Sequence, residues 1–306
     1  MSTATPNPLR SYDPAVLAAV DDLDWISRIL VEGFLQGLHR SPLRGFSSEF
    51  AEYKPYTQGE DLRFLDWQAL ARLDKPYIRQ FEAETNLRAV IVLDATGSMS
   101  YSGAEGGGGV TKFRYAVILA AALMRLMVRQ NDACGLAVIG TGGMSAYLPP
   151  ALGQRHFFQA LSILDKATPT GDGALAPHLM DCVRQLKRRS HLIMLTDAME
   201  DLEPLAEPLK LMRGSRHEML LLQILDPREA QFDFEFTQIF RDLETGFRLA
   251  LNPKWVRDSY LKAFHAHQEA LRALCLREGI THEVLRTDAA PGKALRETLA
   301  RRESRS

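Results

Sequence analysis

Three short stretches concentrate side chains able to do chemistry: Asp94-Ala95-Thr96-Gly97-Ser98, Thr196-Asp197, and Thr168-Pro169-Thr170-Gly171-Asp172-Gly173. The first reads D-x-T-x-S. A carboxylate followed by two hydroxyls on a turn can converge on one hard divalent cation, which takes oxygen ligands in near-octahedral array with water filling the gaps. Asp197 offers a second carboxylate, acting through water. The bland alternative is that Asp94 caps a turn and the hydroxyls satisfy backbone groups.

For these residues to meet, the elements around them must bring them to one place. Leu87–Asp94 is an apolar run ending in a carboxylate, as expected of a buried parallel strand. Strands are expected at Ala133–Gly140, Ser145–Pro149, His191–Asp197, His217–Leu225 and from Thr281, alternating with helices at Lys112–Arg129, His156–Lys166, Ala174–Arg188, Leu202–Met212, Pro253–Arg277 and Gly292–Arg302. That alternation predicts an α/β fold, a doubly wound and mostly parallel sheet flanked by helices. In such sheets ligands bind beyond the carboxyl ends of the strands, where Asp94 and Asp197 fall. Phe234–Leu251 departs from the alternation and reads as an inserted hairpin turning at Glu244–Gly246, an insertion spanning about 232–252. Upstream, 1–40 reads as a loose tail and one helix from Asp13 to Leu38. Residues 41–86 form an aromatic- and charge-rich segment of short strands and one short helix, expected to wrap the core that occupies 87–306.

Composition narrows the classes of function. The chain has 306 residues, 46% hydrophobic and 25% charged, with 37 Lys and Arg against 38 Asp and Glu. A formal charge of -1 gives no basic excess for a nucleic-acid surface. The most apolar run, Tyr115–Val128, is interrupted by Arg125 and is shorter than the ~20 residues a membrane span needs. Three dispersed cysteines, Cys134, Cys182 and Cys275, form no C-x-x-C pair and suit reduced thiols of a cytoplasmic protein. The histidines do not pair as H-E-x-x-H, and the Gly106–Gly109 run lacks the Lys-[Ser/Thr] of a phosphate-binding loop.

VIVLDATGSM and LIMLTDAMED, with the strand order, resemble a von Willebrand factor A domain and its metal-ion-dependent adhesion site. The preceding segment is more specific. Tyr56, Gly59, Glu60, Asp61, Arg63, Asp66, Trp67, then Ala71-Arg72, resemble the signature of the bacterial domain-of-unknown-function fifty-eight (DUF58) family. The resemblance runs from about Ser41 to the end of the chain. It implies a von Willebrand A-like (Rossmann-like) core and a site of Asp94, Thr96, Ser98 and Asp197 holding Mg2+, Mn2+ or Ca2+. The pattern's remaining Thr falls on Gly173, which has no side chain. Thr170 or Thr168 stands nearby, and a weak or metal-free site is the alternative. The family further implies a non-enzymatic adaptor that docks an acidic residue of a partner and works with a MoxR-type AAA+ ATPase in maturing a client. A third reading takes DATGS and TGDGALAP for the phosphorylation and Mg2+ motifs of an aspartate-nucleophile phosphohydrolase, with Asp94 as nucleophile and Asp172 at the metal. Leu175 and Ala176 at the expected Asn and Asp positions count against it.

Overall fold

The structure is a computed structural model. It describes residues 13–38, 53–55, 77–79, 87–103, 109–171, 173–186 and 188–303. The chain divides into two compact units, residues 41–86 and the remainder. Within the smaller unit, β1 (Tyr53–Pro55) and β2 (Tyr77–Arg79) pair antiparallel. The short helix expected there, and the Tyr56–Arg72 signature, lie outside the described residues.

The larger unit is built on six strands: β3 (Arg88–Ala95), β4 (Ala133–Gly140), β5 (Gly143–Ala151), β6 (His191–Thr196), β7 (Glu218–Leu225) and β10 (Thr281–Arg286). Their order is β10-β7-β6-β3-β4-β5. Counted in chain order within this sheet, that is 3-2-1-4-5-6 read from the β5 edge, the doubly wound arrangement. All pairings are parallel except β4 with β5. The antiparallel β5 is longer than the five residues expected from sequence. It extends through Pro149 and Pro150, which an edge strand accepts because one side of its ladder needs no donors.

Strand alternation assigns the two faces of the sheet. Val90, Val92, Ala137, Ile139, Leu192 and Met194 pack with α5 (Leu175–Gln185), α6 (Leu202–Gly214) and α8 (Pro253–Glu278). The opposite parity meets α3 (Lys112–Arg129), which is flanked by α2 (Leu23–Leu38), α4 (Gln154–Lys166) and α9 (Pro291–Glu303). Helix α3 is buried nearly all round, so its apolar run serves a two-sided core. Arg125, the charge inside that run, is held by the Ser27 hydroxyl at 2.7 Å and by Asp24. Among the described residues no helix is long and apolar enough to cross a membrane. All three cysteines are buried and free.

One sequence expectation is corrected. The helix predicted from Asp13 to Leu38 is two helices, α1 (Pro14–Ala18) and α2. Asp22 breaks the run by accepting the Trp25 N–H at 2.9 Å as an N-cap does, and Val16, placed on the predicted apolar stripe, is exposed.

Between α7 (Pro227–Gln231) and α8 lies the hairpin, β8 (Gln238–Arg241) with β9 (Arg248–Leu251). Its strands are shorter than the alternation suggested, because Phe232 and Phe234 go into an anchor instead. Phe232 adopts φ +48° and stacks on Phe240 (5.8 Å) and against Tyr260 of α8 (4.4 Å).

Candidate cation and docking site

Strands β3 and β6 are neighbours whose connections run to opposite sides, so a crevice opens at their carboxyl ends. Their register pairs Leu93 with Leu195, which sets Asp94 beside Thr196. Asp94 is 3% exposed. Its Oδ1 accepts from the Thr96 N–H (2.9 Å) and the Thr96 hydroxyl (2.7 Å), and its Oδ2 from the Thr196 hydroxyl (2.6 Å). The chain leaves β3 through extended Thr96 into a 3₁₀ turn, Gly97–Ser100. That turn brings Ser98 Oγ to 3.2 Å from Thr96 Oγ1.

Burial pushes the Asp94 carboxyl up, to about 6, and the charge of Asp197 adds to it against the hydrogen bonds from Thr196 and Thr96. Asp197 does not stand alone. The fully buried Lys112, at the first turn of α3, reaches Asp197 Oδ2 and Glu229 Oε1, each at 2.7 Å. Burial disfavours that ammonium, but the two carboxylates outweigh it and raise its pKa. The Asp197 carbonyl accepts from Gln223 Nε2 (2.9 Å), and the neighbouring Ala198 carbonyl lies 2.7 Å from His267 Nε2. Glu200 caps α5 by accepting the Leu175 N–H at 3.0 Å, and burial lifts its carboxyl to about 7. Burial raises the carboxyl of Glu244, at the hairpin tip, against the opposing pull of the Ser98 donors. Asp94, Thr96, Ser98, Asp197, Glu200 and Glu244 line a cavity of about 320 Å³. Among the described residues Asp94, Asp197, Glu200, Glu229, Asp242 and Glu244 line it with one cationic residue, Arg241, while Lys112 is buried behind Asp197 and Glu229.

Four of the five sequence-selected residues converge here: Asp94, Thr96, Ser98 and Asp197. Thr170 does not join them. Its side chain is exposed, and its backbone N–H donates to the Ala95 carbonyl at 3.0 Å. Asp172 lies outside the described residues. For the aspartate-nucleophile reading, both oxygens of Asp94 already accept hydrogen bonds from Thr96 and Thr196.

The hydroxyl pair fits a small hard cation. Oxygens on adjacent vertices of an octahedron of ~2.1 Å radius lie ~3.0 Å apart, close to the 3.2 Å between Thr96 Oγ1 and Ser98 Oγ. Among the described residues no group of three or more His, Cys, Asp or Glu is arranged to hold a metal; the donors here are chiefly hydroxyls, with carboxylates behind them. Gly173 lines the cavity without a donor, and its neighbour explains the exchange. A Cβ at 173 would lie 3.1 Å from Thr96 Cγ2. The extra methyl of Thr96 takes part of the space that a larger side chain at 173 would need, and the Gly140 backbone, 3.3 Å from such a Cβ, takes the rest.

Beyond the five residues expected from sequence, the site draws on Lys112, Glu200, Glu229 and Glu244, and on Thr196, marked in the sequence as Asp197's neighbour and here the donor to Asp94. Lys112 carried a readable signal: a lysine opening an otherwise apolar helix must find carboxylates if it is buried. Glu229 and Glu244 carried none, since each reaches the site only through the placement of α7 and the hairpin.

An uncharacterized protein of Mycobacterium tuberculosis, Rv1480, is 27% identical over 261 residues, covering 84% of this chain and 80% of its own. An uncharacterized protein of Mycobacterium bovis, Mb1516, matches to the same extent. The crystal structure of the conserved hypothetical protein BatB from Bacteroides thetaiotaomicron aligns with TM-score 0.47 at 15% identity, over 71% of this chain and 99% of that one. The VWA domain of SpRpn10 aligns with TM-score 0.41 at 12% identity, over 68% and 94%. The profile of the family described as protein of unknown function DUF58 matches residues 52–270, and the chain belongs to that family.

Proposed function

We propose that this protein is a non-enzymatic docking module whose strand-end site binds a divalent cation, Mg2+, Mn2+ or Ca2+, and through it an acidic residue of a partner protein. The observation that carries this is the Thr96–Ser98 hydroxyl pair, 3.2 Å apart and backed by the buried Asp94 at the point where strand order reverses. Thr96 and Ser98 would hold the ion directly, with Asp94 and Asp197 acting from behind. When bound, the cation supplies residual positive charge at the mouth of the crevice. The chain's own residues do the rest: Thr196 and Lys112 fix the two carboxylates, and the cavity wall orients what enters. The negative wall is itself an argument for a cation, because a partner's carboxylate would otherwise meet like charge. The family resemblance points to a MoxR-type AAA+ ATPase as co-worker and to maturation of a client protein as the process.

A metal-free scaffold using the same loops is the second reading, and Gly173 favours it by leaving the pattern one hydroxyl short. Calorimetric titration with Mg2+ and Mn2+ separates the two. Binding by wild type that is lost in Asp94→Ala supports the cation. Absence of heat in both proteins leaves the scaffold. Co-purification from the native host, with and without chelator, tests the partner: an ATPase of the MoxR type is expected only without chelator.

A further inference from the structure

The hairpin between α7 and α8 has its tip seated on the strand-end site. A Cβ at Gly97 would lie 2.5 Å from the Leu243 carbonyl oxygen and 2.8 Å from that of Gly171, so the tip rests directly on the turn carrying Ser98. The tip has a defined shape. Asp242 N–H donates to the Phe247 carbonyl at 2.8 Å, Gly246 N–H donates to the Asp242 carbonyl at 2.9 Å, and Gly246 takes φ +76°. Asp242 Oδ1 accepts the Glu244 N–H at 2.9 Å, and its other oxygen takes the Thr245 hydroxyl. This arrangement carries Glu244 to the wall of the cavity that Ser98 also lines.

Glu244 therefore shares the cavity wall with the hydroxyl pair, whose Thr96 hydroxyl donates to Asp94 behind it. It joins Asp94, Asp197 and Glu200 around the same cavity. A hairpin placing one more carboxylate against these is repelled unless positive charge lies between them. At its other end the hairpin is anchored by Phe232, Phe240 and Tyr260, contacts separate from those that seat the tip on Gly97.

Resting on the cation reading above, we propose that Glu244 is the site's own acidic ligand, holding the place a partner's carboxylate would take, so that docking proceeds by displacement of the hairpin tip. A tethered ligand acts at high effective concentration. It lowers the apparent affinity of any external carboxylate by the fraction of molecules in which the tip is seated. The tip then works as a gate on docking and as a specificity filter, since a partner must bring contacts beyond one carboxylate to win.

The experiment uses the full chain with Mn2+ as probe, comparing wild type, Glu244→Gln and Glu235→Gln. The last removes the same charge from an exposed position in the segment leading into the hairpin. Mn2+ affinity is read by calorimetry, and exchangeable water on the bound ion by water-proton relaxation. The expected result is that Glu244→Gln weakens Mn2+ binding by about tenfold, the scale of one charge-assisted contact. Relaxivity per bound ion should rise by the contribution of about one further water, with Glu235→Gln matching wild type. Mn2+ bound by all three with equal affinity and equal relaxivity overturns the Glu244 assignment and leaves the cation site standing. Equal losses in both variants reduce the effect to bulk charge and overturn it too. No Mn2+ binding by wild type overturns the cation reading and this one together.

Discussion

Replacing Lys112 with Met tests the electrostatic frame of the site. The ammonium is fully buried and makes two hydrogen-bonded ion pairs of 2.7 Å, to Asp197 and Glu229. Met keeps most of the volume and removes the charge, so two largely buried carboxylates lose their counter-ion. Each charge-assisted hydrogen bond is worth about 1.5–3 kcal/mol, and breaking a buried pair from one side costs about 3–5 kcal/mol. The expected loss is therefore about 3–5 kcal/mol, a large fraction of the 5–15 kcal/mol typical of a domain. Urea unfolding at pH 8 measures it directly. Adding Glu229→Gln should recover part of the loss, because one of the stranded charges is then neutral, and a double-mutant cycle isolates that coupling. A loss below about 1 kcal/mol for Lys112→Met, with no coupling to Glu229, would refute the reasoning: the ammonium would then not be the counter-ion that holds Asp197 in place.

Other outcomes follow from the same geometry. Gly173→Thr alone should crowd Thr96 Cγ2 and lower the melting temperature, whereas Gly173→Thr with Thr96→Ser should recover part of that loss and bind Mn2+ about tenfold or more tightly, measured by calorimetry. Gly97→Ala should push the hairpin tip away, since its Cβ meets two backbone carbonyls; faster amide exchange across 242–247 with the sheet unchanged would show it. In chelator, stability should fall as pH rises from about 4 to about 7. Asp94 (about 6, from 3.8) and Glu200 (about 7, from 4.5) have raised pKa values in the folded state. The folded protein therefore holds more protons than the unfolded chain across that window. The Asp94 contribution is on the order of 2 kcal/mol. Asp94→Asn should flatten the slope in urea unfolding between pH 5 and 7.5. Thr196→Val should cost about 1–3 kcal/mol, because Asp94 Oδ2 loses its donor in a buried setting.

The residues that make the sheet announce themselves. Leu87–Asp94 and Ala133–Gly140 are short apolar runs of eight residues, the length of a strand buried on both faces and less than a buried helix needs, and the observed β3 and β4 match them to within a residue. Asp94, Thr96, Ser98 and Asp197 were legible because strand ends in an alternating chain converge by topology alone. Thr170 was not placed by any such rule, since its loop follows no strand of the parallel set, and its side chain turns outward. Glu244 was legible as a turn residue but not as a site residue, because the aromatic anchor that aims the hairpin involves Tyr260, well along the following helix. The break between α1 and α2 was hidden by apolar spacing that continues across it, with only Asp22 marking the cap.

The hydrogen bond from Thr196 to Asp94 joins residues 102 apart in sequence. Neither half of the crevice exists on its own: the β3 turn without β6 leaves Asp94 unsupported, and β6 cannot pair with β3 until the intervening helices and strands have been made. A chain still emerging from the ribosome, with β6 not yet made, thus presents no assembled crevice. Whatever the site recruits would be recruited only by finished molecules, which makes recruitment itself a report on completed folding.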